Sequence, residues 1–203
     1  MIGIISYGLG NTMAIRNVLN DIGDNAELII DPNQIDTKID KLILPGVGSF
    51  DSAMQLLKEK NFIEPIKMFV KNKNNFLLGI CVGMQILANS SEEGKKKGLS
   101  LIPGKIKKFK NAKILPHVGW NKVTKLREVE LLKDIKENSK FYFLHSYYYE
   151  VEAKNHIAAS SSYFTDFTSI VINKNIFGVQ FHPEKSHQSG RTLLKNFARI
   201  NGN

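Results

Sequence analysis

Short apolar runs alternate with stretches whose apolar residues recur every three or four positions, and this alternation organises the first half of the chain. Residues 2–6 form a strand-length apolar run, and residues 11–22 follow with helical spacing that sets Met13, Ala14, Val18 and Leu19 near one face. Residues 26–30 and 41–44 read as two further strands. Pro45-Gly46-Val47-Gly48 then interrupts the pattern as a tight loop. Ser49 or Asp51 is placed to cap the next helix, which turns Met54, Leu56 and Leu57 inward. Residues 61–71 read as another helix and 76–80 as another buried strand. Strand and helix in alternation predict an α/β fold with a mostly parallel sheet covered on both faces.

The second half changes character. Residues 114–118, 121–124, 141–152, 157–161, 169–173 and 176–181 read mostly as short strands, expected to extend the same sheet in antiparallel fashion. A closing helix is expected over residues 190–200, with Leu193, Leu194, Phe197 and Ile200 on one side. No internal repeat or low-complexity linker interrupts the 203 residues, so a single domain over 1–203 is the expectation.

Composition narrows this picture. A hydrophobic fraction of 42% is enough to build a real core. The opening residues lead straight into a strand without a signal-peptide pattern, and no apolar run approaches the ~20 residues needed to span a bilayer. A soluble cytoplasmic protein with no membrane association is expected. A single cysteine excludes an intramolecular disulfide and a cysteine zinc cage. The formal net charge is +9, and the segment from Lys95 to Lys113 holds eight lysines with no Asp or Glu. Those lysines are not interleaved with stacking aromatics and accompany no nucleic-acid motif, so a solvated basic face is expected rather than a nucleic-acid site. An acidic partner surface is the other use for such a patch.

The chemistry centres on the lone cysteine. Cys81 follows the strand at 76–80 and precedes a helix expected from Val82, with Gly79 and Gly83 two residues to either side. This is the nucleophile-elbow spacing with Cys in place of Ser, where glycines let strand and helix approach closely. The start of a helix supplies N–H groups and partial positive charge, both favourable to a thiolate. Such a nucleophile needs a histidine to manage protons. His182 follows a strand-like run and has Glu184 two residues on; in extended backbone the two side chains would point the same way. Glu184 would then orient the imidazole and stabilise its cation. None of the other four histidines has a carboxylate at that offset. For the oxyanion, the N–H of Val82 is one donor, and the loop with Val47 and Gly48 at a neighbouring strand end is placed to provide another.

Gly-Ile-Cys81-Val-Gly-Met-Gln85 and Phe-His182-Pro-Glu184-Lys-Ser resemble the paired signatures of class I, triad-type glutamine amidotransferases. Tyr7-Gly-Leu-Gly-Asn11, Leu44-Pro-Gly-Val-Gly-Ser-Phe50, Pro116-His-Val-Gly-Trp-Asn121 and Phe143-Leu-His-Ser-Tyr-Tyr148 narrow the resemblance to the glutaminase subunits of imidazole glycerol phosphate synthase, from Ile2 to about Phe197. The resemblance implies a flavodoxin-like amidotransferase fold. It implies that Cys81, His182 and Glu184 form a triad that hydrolyses glutamine to glutamate through a thioester, with no cofactor and no metal. It sets Gly48, Gln85, Ser146 and Tyr147 near the glutamine. Asn11 and Trp120 fall in segments that face the partner, a (β/α)8-barrel cyclase that uses the ammonia to make imidazole glycerol phosphate and an aminoimidazole carboxamide ribotide in histidine biosynthesis.

Val82 and Val118 stand where Leu and Met are usual in the family. Residues 184–191 and 90–94 are similar to a paralogous branch that supplies ammonia for sugar amidation in surface-polysaccharide biosynthesis. Two readings of other classes remain beside these: a non-catalytic regulatory subunit, and a stand-alone cysteine hydrolase.

Overall fold

A computed structural model describes residues 1–110 and 112–201. Its first half runs β1 (Ile2–Ile5), α1 (Thr12–Asp21), β2 (Ala26–Ile29), β3 (Lys41–Gly46), α2 (Phe50–Glu59), α3 (Ile63–Phe69), β4 (Phe76–Cys81) and α4 (Val82–Gln85). The second half runs β5 (Ser90–Ser91), β6 (Gly104–Lys108), β7 (His117–Lys122), β8 (Thr124–Lys125), β9 (Lys140–His145), β10 (Tyr147–Val151), β11 (Ile157–Tyr163), β12 (Thr165–Asn173), β13 (Ile176–Val179) and α5 (His187–Arg199).

An 11-stranded sheet carries the order β2-β1-β3-β4-β13-β12-β10-β6-β5, with β11 paired to β12 and β8 paired to β11. The pairs β1/β2, β1/β3, β3/β4 and β4/β13 are parallel. From β12 onward the pairing is mainly antiparallel. The central strands β1, β3, β4 and β13 are buried at every position, which is why they read as apolar runs rather than alternating patterns. No helix of the described residues is long and apolar enough to cross a membrane.

Several sequence expectations shift in detail. In α1 the buried residues are Ile15 and Leu19, one helical turn apart, and this sets the inward face. Met13 lies about 200° around the helix from Ile15 and is exposed instead. Ser49 caps α2 by accepting from the Ser52 N–H at 3.2 Å. The Asp51 carboxylate turns away and accepts from the backbone N–H groups of Lys95 and Lys96, at 3.0 and 2.9 Å. Those bonds hold its carboxyl below the usual range, and they tie the start of the lysine-rich segment to α2. That segment also contains β6, whose Ile106 is buried while Lys107 pairs with Glu92 at 3.1 Å; Asn111 lies outside the described residues.

The expected antiparallel extension divides in two. Residues 114–118 and 121–124 do not form separate strands: one strand, β7, pairs with β9 from His117↔His145 to Lys122↔Lys140, as a small sheet of its own. The expected strand over 141–152 breaks at Ser146. There the chain leaves β9 in the small sheet and enters β10 in the large one. This corner lies over the carboxyl ends of the parallel strands.

Candidate functional site

Because β1, β3, β4 and β13 run parallel, their carboxyl ends share one edge of the sheet, the usual place for a ligand in such folds. The loop from Gly46 to Gly48 leaves β3 there, Cys81 ends β4, and the chain running to His182 leaves β13.

Cys81 has φ 57° and ψ −114°, a conformation that costs a non-glycine residue of the order of 1–3 kcal/mol. The turn is held by the crossing of chains beneath it. A Cβ on Gly83 would collide with the carbonyl oxygen of Leu44, and one on Gly79 would lie 2.5 Å from the carbonyl oxygen of Gly83. Only glycine at these two positions lets β3, β4 and the new helix approach so closely. The helix that begins at Val82 is short. α4 covers only Val82–Gln85, because the carbonyls of Ile86 and Leu87 bond to the N–H groups of Leu99, Leu101 and Ile102 and peel the chain away. Four residues carry little macrodipole, so the helix contributes local N–H groups rather than a long-range field. Val82 is its first residue, and its N–H has no intrahelical acceptor.

The Cys81 sulfur is nearly buried, 3.8 Å from the Leu144 carbonyl oxygen and 3.9 Å from Gln180 Nε2. The His182 backbone is fixed on both sides: its N–H donates to Tyr142 at 2.8 Å, and its carbonyl accepts from the Ser186 hydroxyl at 2.6 Å. Its Nδ1 meets Glu184 Oε1 at 2.9 Å. The two side chains do not converge through extended backbone. Residues Pro183–Lys185 form a 3₁₀ turn, started by a proline whose φ suits it, and this turn folds Glu184 back beneath the ring. His182 Nε2 is buried and has no hydrogen-bond partner among the described residues. Burial disfavours the imidazolium, but the Cys81 sulfur and Glu184 outweigh it, and the His182 pKa is pushed up to about 10. A cysteine and a histidine so coupled can share a proton, with the cation anchored by a carboxylate.

A cavity of about 220 Å³ opens over this edge, lined by Val47, Gly48, Cys81, Val82, Gln85, Ser146, Tyr147 and His182, among others. Glu184 lies behind His182, with a side chain 1% exposed. Asn11 and Trp120 lie outside the cavity. Asn11 is exposed at the end of the loop after β1, and Trp120 is 44% exposed on the outer face of β7, stacked on His187 with ring centroids 4.8 Å apart. A larger hollow of about 610 Å³ lies along α5, lined by charged residues including Arg191, Lys195 and Arg199. No cysteine or histidine lines it.

Six residues at the site escaped sequence reasoning. Gln180 bridges Gln85 and the Cys81 sulfur, accepting from Gln85 Nε2 at 3.0 Å. Tyr7 is wholly buried, its hydroxyl has no partner among the described residues, and its pKa is raised by burial and by the Cys81 charge. Glu93, Pro116, Leu144 and His145 line the cavity. Gln180 sits two residues before His182 on the same run, the one signal that pointed to it.

Comparison with known proteins adds kinship to this geometry. The family model "Glutamine amidotransferase class-I" matches residues 4–200. The chain is 47% identical over 205 residues to "Imidazole glycerol phosphate synthase subunit HisH" of Leptospira interrogans, covering 98% of this chain and 100% of that one. It is 49% identical over 201 residues to "Imidazole glycerol phosphate synthase subunit HisH 2" of Methanococcus maripaludis, covering 98% and 99%. Among solved structures, "Structure of PurLQS from Thermotoga maritima" superposes with a TM-score of 0.76 at 15% identity, over 97% of this chain and 96% of that one. "Crystal structure of glutamine amidotransferase" gives 0.76 at 15% identity, over 98% and 99%. Those two likenesses concern the fold alone.

Proposed function

The chain belongs to the class-I glutamine amidotransferases, among the glutaminase subunits of imidazole glycerol phosphate synthase, and we propose that Cys81, His182 and Glu184 are the triad with which it hydrolyses glutamine. The observation that carries this reading is Cys81 itself, a cysteine held at positive φ on a strand–helix turn and coupled to a buried, carboxylate-anchored histidine. The cavity, about 220 Å³, falls below the ~300 Å³ at which pockets for drug-sized ligands begin, and so suits an amino acid.

In the proposed reaction the Cys81 thiolate attacks the side-chain amide carbon of glutamine. The carbonyl π-pair moves onto oxygen, where the Val82 N–H and the loop at Val47 and Gly48 stabilise it. The imidazolium of His182 gives its Nε2 proton to the amide nitrogen as the C–N bond breaks. Ammonia leaves and a thioester remains. His182, now neutral, takes a proton from water as that water attacks the thioester. Collapse of the second tetrahedral intermediate releases glutamate and returns the thiolate–imidazolium pair. Glu184 keeps the ring oriented and compensates its charge in both steps. Gln85, Ser146 and Tyr147 line the substrate and fix its orientation.

The ammonia passes to the cyclase subunit for imidazole glycerol phosphate synthesis in the histidine pathway. On this reading the partner is a (β/α)8 barrel, the protein works in the cytoplasm, and Asn11 and Trp120 face the barrel. The exposed apolar side chains of Val118, Leu144, Met13 and Val47 favour such a covered edge. The test is the purified pair, assayed for glutamate release and for cyclase product with imidazole precursors. Product from a sugar acceptor instead would move the chain to the polysaccharide branch. Failure of a glutamine-analogue electrophile to label Cys81 in the complex would favour a regulatory subunit, and strong peptidase activity of the isolated chain a stand-alone hydrolase.

A further inference from the structure

In the cavity wall and behind it lie two histidines that this reaction does not use, His145 lining the cavity and His117 set deeper. His117 on β7 and His145 on β9 are cross-strand partners, and both are buried. Side chains alternate along β7, so His117 and Asn121 share its inner face while Val118 and Trp120 share the outer one. Rings of Phe109, Phe143, Tyr163 and Phe167 surround the pair, with His117 stacked on Tyr163 at 4.0 Å. Aromatic hydrocarbon would fill this volume equally well. Two polar rings there need a full set of hydrogen bonds to be tolerated.

That set is present, and its direction is fixed. His145 Nδ1 lies 2.8 Å from the Tyr147 carbonyl oxygen, which can only accept, so this nitrogen carries the hydrogen. At the other end, the Asn121 amide nitrogen donates to the Ser162 carbonyl oxygen at 2.8 Å, and Asn121 Oδ1 accepts from the Lys122 N–H. The same amide nitrogen lies 3.3 Å from His117 Nε2, which therefore accepts. His117 Nδ1 carries the remaining hydrogen and donates to His145 Nε2 at 3.0 Å. Both rings are then neutral Nδ1–H tautomers. Burial agrees, pushing His117 down to about 4 and His145 to about 3.

The chain continues into the site. The Tyr147 carbonyl also accepts from Gln85 Nε2 at 3.2 Å, Gln85 donates to Gln180, and Gln180 Nε2 faces the Cys81 sulfur. We propose that His117 and His145 are positioning residues, a one-directional hydrogen-bond relay that runs from Asn121 behind the Trp120 strand to the Tyr147 carbonyl and, through Gln85 and Gln180, sets the glutamine pocket against Cys81. The inference rests on the reading of Cys81 as the glutaminase nucleophile.

Two measurements test it. The first needs no activity: ¹⁵N chemical shifts of the full-length wild-type chain at about pH 6 should report both imidazoles as neutral Nδ1–H tautomers. An Nε2–H tautomer or an imidazolium at either residue overturns the relay, whatever the fate of the glutaminase reading. The second uses the assembled complex. His145→Phe keeps the ring volume and removes both bonds; His145→Asn retains a donor near the Nδ1 position. Loss of one hydrogen bond from the relay corresponds to about tenfold. Glutamine-dependent kcat/KM should fall by about that factor or more in the Phe variant and recover in part in the Asn variant, while ammonium-dependent synthesis stays at the wild-type level. Equal losses in both variants, or a parallel loss with ammonium, make the pair a packing element and overturn the proposal. If His145→Phe fails to fold, the tautomer measurement decides alone.

Discussion

Replacing Glu184 with Gln removes one negative charge and leaves a carbonyl oxygen to accept the same bond from His182. That bond is 2.9 Å long, and the two side chains are only 4% and 1% exposed, so water screens it little. A hydrogen bond to a charged group contributes about 1.5–3 kcal/mol and a neutral one about 0.5–1.5. The exchange therefore removes about 1–1.5 kcal/mol, equivalent to about one pKa unit. Burial pulls the His182 pKa down, Cys81 and Glu184 together raise it to about 10, and Glu184→Gln should bring it about one unit lower. His182 binds in the fold a proton that the unfolded chain releases near pH ~6.5. Its stabilisation is thus complete below that pH and is lost as pH rises through about 10. NMR titration of the imidazole reads the shift directly. Urea unfolding across pH should show a gap of about 1 kcal/mol between wild type and variant below pH ~6.5, closing by the time His182 has titrated. Glutamine hydrolysis should fall about tenfold. An unchanged His182 midpoint, or a stability gap that widens toward alkaline pH, would refute the reasoning.

Three further substitutions probe other parts of the account. Gly83→Ala forces a methyl group against the Leu44 carbonyl; it should cost about 1–3 kcal/mol in urea unfolding and distort the Cys81 turn, seen as slowed labelling by a glutamine-analogue electrophile. Leu42→Ala opens a cavity in β3 at a side chain with no exposure, and should cost about 2.7–5 kcal/mol while leaving the active-site KM near its wild-type value in the protein that remains folded. Trp120→Ala should leave the Tm of the isolated chain nearly unchanged and weaken binding to the cyclase by about 2 kcal/mol or more, about thirtyfold, in calorimetry; unchanged affinity would remove Trp120 from the interface.

The parallel half of the fold was legible because its central strands are buried on both faces, so residues 42–44 of β3 and 76–80 of β4 appear in the sequence as short apolar runs bounded by loops. The elbow was legible for a local reason: Cys81 and its two glycines are neighbours in sequence as well as in space. His182 and Glu184 were legible as a pair, though a 3₁₀ turn, not an extended backbone, brings them together. Local pattern could not reveal that β7 and β9 form a separate sheet, because the choice of strand partner is a long-range matter. Nor could it reveal why α4 stops at Gln85, since the cause lies in the loop around Leu99. Strand β6 was hidden by its lysines, which alternate with buried Ile106 on a strand whose other face meets solvent. Gln180 and His145 reach the site only through such long-range pairing, Gln180 meeting Gln85 across 95 residues.

On the proposed mechanism the Cys81 sulfur forms the thioester and is the route from glutamine to ammonia in this chain. This is tested most directly with the Cys81→Ala subunit assembled with its cyclase and supplied in parallel with glutamine and with ammonium salts. The account predicts no glutamate release and no glutamine-driven product, with ammonium-driven product at the wild-type rate. Glutamate release that persists in this complex would contradict it.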